Sequence, residues 1–292
     1  MSGSADVQSL VDFIELFRAA WRDLLPDTAL RGIAGALIVL AFLFLVIRMI
    51  ERAYGVSGKH YASRSFWHDI LFNLYGSSGL SKLIIPTTLM AVMHERLSFL
   101  DLRLVEDLPY PVRMIVWLLA ADFLNYWAHR AKHHFRFLWA FHATHHSQAH
   151  LTFATFARAH PLEDIVGQLV HVLLLLTLGA DPLSFFLVYL FFTLHARLVH
   201  SQIPWRFGKL SRVIVSPVFH GHHHSLDPAH HNRNFAVTFA FWDHLFGTAV
   251  PQDSPAPTRY GIPEMRSDSL LDALFGPFRL LYGYYLKPRR SP

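Results

Sequence analysis

Histidine is the residue type in this sequence best suited to chemistry. The chain has 21, almost as many as its 26 Lys and Arg, and 17 of them fall between His129 and His231. Their spacing repeats. His129 and His133 form an HxxxH pair, His142, His145 and His146 form HxxHH, and His220, His223 and His224 form HxxHH again. On a helix, positions i, i+3 and i+4 share a face, about 6 Å apart at Cβ, close enough to share a metal ion. Each box can therefore offer two or three imidazoles to one place. His195 and His200 stand at the end of an apolar segment nearby. Eight or more imidazoles exceed the roughly four to six ligands of one ion, so the number points to two. Imidazole suits Fe, Zn, Cu and Ni alike, so ligand type alone does not name the metal. The chain has no Cys, which excludes structural disulfides, thiolate-held haem, iron–sulfur clusters and Cys-type zinc sites.

The elements that must position these boxes are apolar. Of 292 residues, 52% are hydrophobic and 16% charged, where a soluble domain carries about a quarter charged. With mean hydropathy +0.27, this composition points to a membrane protein and excludes a disordered, fibrous or disulfide-rich secreted chain. Leu30 to Ile50 is a strong span, long enough for the roughly 20 residues a bilayer helix needs. Leu80 to Met93, interrupted by Pro86, is a weaker one, and Val112 to Trp127 a third. Ile165 to Leu178 and Leu183 to Leu198 form a tight helical hairpin around Gly179-Ala180-Asp181-Pro182. Irregular backbone cannot face hydrocarbon, so such a reversal in lipid is helical. No cleaved signal peptide is expected from the N-terminal residues.

Charge sets the orientation. Arg52, Lys59, Arg64 and Lys82 follow the first span; Arg130, Lys132, Arg136 and Arg158 follow the third; Arg206, Lys209 and Arg212 follow the fifth. The segment between the second and third spans is instead rich in Glu95, Asp101, Glu106 and Asp107. The excess of Lys and Arg places the three basic segments in the cytoplasm. That gives five crossings with the N-terminus outside, or four with it inside if the second span is re-entrant. Either way, the histidine boxes converge at the cytoplasmic ends of helices. Val11 to Leu25 and Leu270 to Leu286 read as amphipathic segments, lying on the membrane surface or packed on the body of the protein.

A lone HxxxH pair on a helix end is more often a polar interface than a ligand pair; three boxes of matched spacing on one membrane face reverse that balance. His60, His68, His94 and His244 belong to no box and are expected to be ordinary surface or interface residues. His171, inside the fourth span, reads as a buried core histidine. His134, His150 and His222 neighbour the boxes, and His230 and His231 stand open. In the run from His220 to His224, only 220, 223 and 224 repeat the second box.

These words resemble the fatty acid hydroxylase / sterol desaturase superfamily of integral membrane di-iron enzymes. The matching text is Asp122-Phe-Leu-Asn-Tyr-Trp-Ala-His129-Arg-Ala-Lys-His133, Trp139-Ala-Phe-His142-Ala-Thr-His145-His146-Ser147 and Arg158-Ala-His160-Pro161-Leu-Glu163. Later come Ser216-Pro-Val-Phe-His220-Gly-His-His223-His224-Ser225, Asn234-Phe235 and Trp242-Asp243-His-Leu-Phe-Gly-Thr248. The resemblance covers about residues 110 to 250; residues 1 to 100 share only their membrane helices. It implies an all-α fold: a bundle of four to five transmembrane helices with a cytosolic helical cap holding a histidine-rich dimetal site. Carried over by position, the metal ligands are His129, His133, His142, His145, His146, His220, His223 and His224. The family's further histidine after the last span falls at His200, although Gln202 stands where the family often has Asn. His195 is a tenth candidate. Asp122, two helical turns before His129, is expected to orient an imidazole, as metal-bound histidines generally require, and His160 and Asn234 are candidates for the same role.

The implied cofactors are two Fe ions, with Zn able to replace them in purified protein, and O₂ as co-substrate. The implied reaction is reductive O₂ activation and attack on an unactivated C–H bond of a lipid, as hydroxylation or desaturation, because such a bond needs an oxidant that side chains cannot supply. No cytochrome b5 module is seen in this chain. Electrons are therefore expected from a separate protein of cytochrome b5 or ferredoxin/reductase type, and no nucleic-acid partner is expected. The membrane would be the bacterial inner membrane, or the endoplasmic reticulum in a eukaryote. Three regions follow: 1–110 with the N-terminal amphipathic segment and membrane helices, 111–250 with the boxes and hairpin, and 251–292 as a C-terminal tail. Other classes fit less well. A membrane zinc hydrolase takes about three protein ligands and an open site, fewer than the boxes offer. A divalent-metal transporter would place ligands and carboxylates near the bilayer midplane, whereas these boxes lie at helix ends.

Overall fold

The computed structural model describes residues 27–78, 95–179 and 182–287. Among them the chain is helical and no β-sheet forms; an isolated bridge joins Ser225 to Tyr260. The helices run in the order α1 (Asp27–Ala53), α2 (Arg64–Ser77), α3 (Tyr110–His134), α4 (Arg136–His146), α5 (Asp164–Leu178), α6 (Pro182–Val199), α7 (Pro217–His223), α8 (Phe241–Leu245) and α9 (Leu270–Leu281). The expected segments Val11 to Leu25 and Leu80 to Met93, and Ala180 and Asp181 of the hairpin turn, lie outside the described residues.

Among the described residues two helical stretches are long and apolar enough to cross a bilayer, Leu30–Ala53 and Pro161–Leu178; Leu183–Val199 is apolar but shorter. On α1, Leu37, Ile38, Val39, Phe42, Leu45 and Met49 each leave about half or more of their surface uncovered. Burying one such side chain is worth about 1.5–3 kcal/mol, so a row of them held open suits lipid and not water. The opposite face of α1 is fixed by Leu40, Leu43 and Ile47, which pack with Tyr61, Phe66 and Phe153. At Gly32 a Cβ would run into the carbonyl of Ser77, so only glycine lets α1 lie this close to α2. The apolar half of α3 packs Trp117 and Ala121 against Val170 and Leu174 of α5 and Val188 of α6.

One extended residue sets the geometry of the first two boxes. Phe135 (φ −93°, ψ 117°) is at once the C-cap of α3 and the N-cap of α4. The chain reverses there, and the last turn of α3 faces α4. The third box lies on α7, a short helix started by Ser216, whose Oγ accepts from Phe219 N, and by Pro217 in its first turn.

A buried ion pair ties these pieces together. Arg158 and Asp69 are both fully buried, with Nη1 3.0 Å from Oδ1. Asp69 Oδ2 also accepts from Gln148 Nε2 (2.7 Å) and Thr155 Oγ1 (2.9 Å). Arg158 Nε donates to Thr144 O and Ser147 Oγ, closing the C-terminal end of α4, and Nη2 donates to Ser267 O. Every charge is partnered, which is the condition under which burial of an ion pair is tolerated.

Helix α9 packs on the body of the protein and leaves an apolar face uncovered. Ala273, Gly276 and Pro277 are buried, and Thr144 Oγ1 of α4 donates to Ala273 O. Leu271, Phe275, Phe278 and Tyr282 form an exposed apolar face one helical turn apart. Removing one member of the buried ion pair strands the other. Asp69→Ala is therefore expected to destabilise the protein by about 3–5 kcal/mol, read as a lowered unfolding midpoint in detergent, with Asp69→Asn milder. An unchanged midpoint for Asp69→Ala would contradict the role of this pair.

Candidate metal centre

The structure brings nine of the histidines into two adjacent groups. His129, His133, His142, His146 and His223 form one; His145, His200, His220 and His224 form the other, and within each group the candidate ligand atoms lie within 4.8 Å of one another. Each HxxHH box is divided. On α4, His142 and His146 go to the first group and His145 to the second; His220 and His224 go to the second, and His223 on α7 to the first. The i, i+4 pair of each box shares a face and the middle residue turns to the neighbouring group. Sequence spacing predicted two or three imidazoles per place without showing this partition.

The Nε2 atoms face inward. His129 and His142 approach at 3.1 Å, His145 and His200 at 3.2 Å, His200 and His220 at 3.0 Å, and His220 and His224 at 3.1 Å. On the outer side five of the Nδ1 atoms are already engaged. His129 Nδ1 lies 2.8 Å from Phe235 O, His142 Nδ1 2.8 Å from Glu163 Oε1, His145 Nδ1 3.2 Å from Arg158 O, His200 Nδ1 2.6 Å from Ala196 O, and His223 Nδ1 2.8 Å from Arg233 O. These oxygens only accept, so each Nδ1 carries the proton and donates, and each Nε2 presents a lone pair. Between His129 and His142, and between His145 and His200, lone pair therefore meets lone pair. A cation resolves that repulsion. Two nitrogens about 2.1 Å from one ion and at right angles about it sit about 3.0 Å apart. The buried Nε2 atoms of His133, His146 and His223 have no hydrogen-bond partner, which fits the same reading.

Protonation offers no other way out. Burial, with repulsion from neighbouring imidazoles, holds His145, His146, His220 and His224 well below the usual histidine range, and burial brings His223 down to about 3. These rings are neutral at pH 7, the form in which imidazole binds metal.

Several residues hold the ligands rather than join them. Glu163 Oε1 accepts from both His142 Nδ1 and Lys132 Nζ at 2.8 Å. Asp243 accepts from the N–H groups of Phe235 and Ala236 at 2.8 Å and from Thr248 Oγ1, which fixes the carbonyl that orients His129. Asp122 reaches the same loop: it accepts from Thr238 N, Phe239 N and Trp242 Nε1. It was expected to orient an imidazole directly, and instead acts on the segment beside Phe235. Asn234, at φ +56°, donates to Phe219 O and accepts from Val250 N, bracing the chain next to α7. His195 bonds Val215 O and His160 bonds Leu274 O and caps the turn at Pro161–Glu163; neither lies in a group. His222 turns away to Pro255 O, so His223 takes the inward position. His60, expected to be a surface or interface residue, is buried beside Glu51.

Glu163, Asp243 and Arg158 stand in the motif words but their spacing marks no role, because each works through a partner distant in sequence. Asp69 could have been singled out as the lone acid in the aromatic segment Phe66–Tyr75.

Two predictions follow from this wiring. Glu163→Gln should weaken metal retention by about 10- to 100-fold, measured by competition with a chelator, because the oriented carboxylate that fixes His142 is lost. The metal-stripped protein should lose stability on acidification. A folded pKa below 6.5 means the unfolded chain binds protons more readily, so stability is complete above pH 6.5 and declines as pH falls toward about 3. Unfolding midpoints should be flat from pH 7 to 8 and fall below pH 6.5; a flat profile down to pH 4.5 would contradict neutral, buried imidazoles.

Residues 114–248 match the family model described as fatty acid hydroxylase. The chain is 31% identical over 197 residues to ornithine lipid hydroxylase OlsE of Rhizobium tropici, covering 66% of this chain and 58% of that protein. It is 30% identical to alkylglycerol monooxygenase of Danio rerio over 57% of this chain and 40% of that protein, and 30% identical to the Homo sapiens alkylglycerol monooxygenase over 44% and 29%. It thus spans less than two thirds of the length of each of these relatives. No solved structure matches it. The matched segment contains all nine grouped histidines, and over that segment the chain matches the fatty acid hydroxylase family.

Proposed function

We propose that this chain is a membrane-embedded, iron-dependent lipid hydroxylase. The observation that carries the reading is the pair of adjacent, all-histidine groups whose inward nitrogens have no protons to share. In this reading the metal ligands are His129, His133, His142, His146 and His223 for one iron, and His145, His200, His220 and His224 for the other. The chain crosses the bilayer four or five times, with the histidines on the cytoplasmic side. Five and four neutral ligands exceed the three of a hydrolytic zinc site. The relatives are named for hydroxylation of ornithine lipid and oxygenation of alkylglycerol, so the substrate class is a membrane lipid.

Bound iron would supply the O₂ chemistry that side chains lack. The protein's part is to fix imidazole tautomers, exclude bulk water and aim a C–H bond. The Nδ1 contacts perform the first task for His129, His142, His145, His200 and His223, and the burial of His142, His145, His146, His200, His220, His223 and His224 performs the second. Electrons come from a separate cytochrome b5 or ferredoxin/reductase partner.

Replacing His145 or His223 with Ala should abolish iron loading and O₂-dependent lipid oxidation while the chain still inserts in the membrane. His68→Ala, outside both groups, should keep both; His94, the matching bystander in the sequence, lies outside the described residues. Iron content and lipid products measured on the same preparations decide the matter. Full turnover by a metal-depleted His145→Ala protein would overturn the reading.

A further inference from the structure

A cavity of about 520 Å³ leads from the histidines into the helix bundle, within the size range of small-molecule sites. His129 and His142 of the first group and His145, His200 and His220 of the second reach its wall. Beyond them, α3 and α5 each present polar residues to it. Asn125, His129 and Lys132 line it from α3, and Asp164, Gln168 and His171 from α5. The spacings i, i+4 and i+7 place each set on one helix face. At 1.5 Å per residue, His171 sits about 10 Å along α5 from Asp164, within the stretch apolar enough to cross a bilayer.

Such residues at that depth need a partner, and polar groups inside a membrane segment mark functional sites by default. The side chains of Gln168 and His171 form no hydrogen bond among the described residues; the ring of His171 touches Phe185. Asn125 donates to Ala121 O, which leaves its carbonyl oxygen for another donor. His171 was expected to be a core histidine, and the cavity wall is a different place. A hydrocarbon tail drawn past these groups would leave the side chains of Gln168 and His171 and the carbonyl oxygen of Asn125 unpaired. A head group carrying hydroxyl, ether or amide groups would satisfy them.

Resting on the hydroxylase reading, we propose that this cavity takes the head-group end of an amphiphilic lipid. Gln168 and His171 hydrogen-bond its polar atoms, so the C–H bond brought to the histidines lies within a few bonds of the head group, not far along a tail. The reaction is R–H + O₂ + two electrons + two protons giving R–OH + H₂O, with the electrons from the separate donor protein.

The test compares lipids from cells expressing the wild type, His145→Ala, Gln168→Met, His171→Phe and the double variant. Tandem mass spectrometry locates any added oxygen, and metal content is measured on each purified protein. The wild type is expected to yield a product, absent with His145→Ala, whose new oxygen lies on the head group or the carbons next to it. Gln168→Met and His171→Phe, close in shape to the originals, are each expected to cut product about tenfold at unchanged metal content, the worth of one hydrogen bond. Oxygen placed in the middle or at the end of a tail overturns the inference and leaves the hydroxylase reading standing, as does wild-type yield from the double variant. If a variant fails to fold, the oxygen's position in the wild-type product still decides. Absence of any oxygenated lipid that depends on His145 overturns the hydroxylase reading, and the inference falls with it.

Discussion

The structure depends on holding like against like. Lone pairs on the neutral imidazoles of His129 and His142, and of His145 and His200, converge at 3.1 and 3.2 Å with their protons committed to the outside. Left alone, that arrangement repels itself. It persists because five of the rings, those of His129, His142, His145, His200 and His223, are gripped from behind by an oxygen, and because those oxygens are themselves immobilised. The distance from the metal centre at which sequence still matters is set by this chain of restraints, not by the ligands alone.

The restraints come from two sides. On one, the Asp69–Arg158 pair closes the end of α4 and presents the Arg158 carbonyl to His145. On the other, Asp243 and Asp122 gather the N–H groups of Phe235, Ala236, Thr238 and Phe239, and the Phe235 carbonyl turns to His129. Both use buried charge where hydrogen bonds fully satisfy it, which costs less than burying it alone. Neutral links to helix backbone would be softer: charge-assisted hydrogen bonds are shorter and about twice as strong.

The boxes were legible because periodicity is local. HxxxH and HxxHH state which imidazoles share a helix face, and the nine histidines carried over from the family's words are the nine the fold groups. Partition between the two groups was not legible, since it depends on how α4 and α7 face each other across a long intervening hairpin. Asp122 bonds no imidazole, because two turns along a helix leaves it level with a loop more than a hundred residues later. His171 shows the same limit from the other side. Its place in an apolar run suggested a packed interior, and only the packing of α3 on α5 reveals an open space beside it.

The crosswise sharing of α4 and α7 between the two centres also constrains how the protein is made. Neither group can close while α7 is still missing, since each draws on it. In the proposed reading, the ribosome would have to deliver the α5–α6 hairpin and the segment beyond it before either ion could find a complete nest. Metal capture would then be a late checkpoint of biogenesis, and a chain truncated before His220 would hold only parts of the two histidine groups and a finished version of neither.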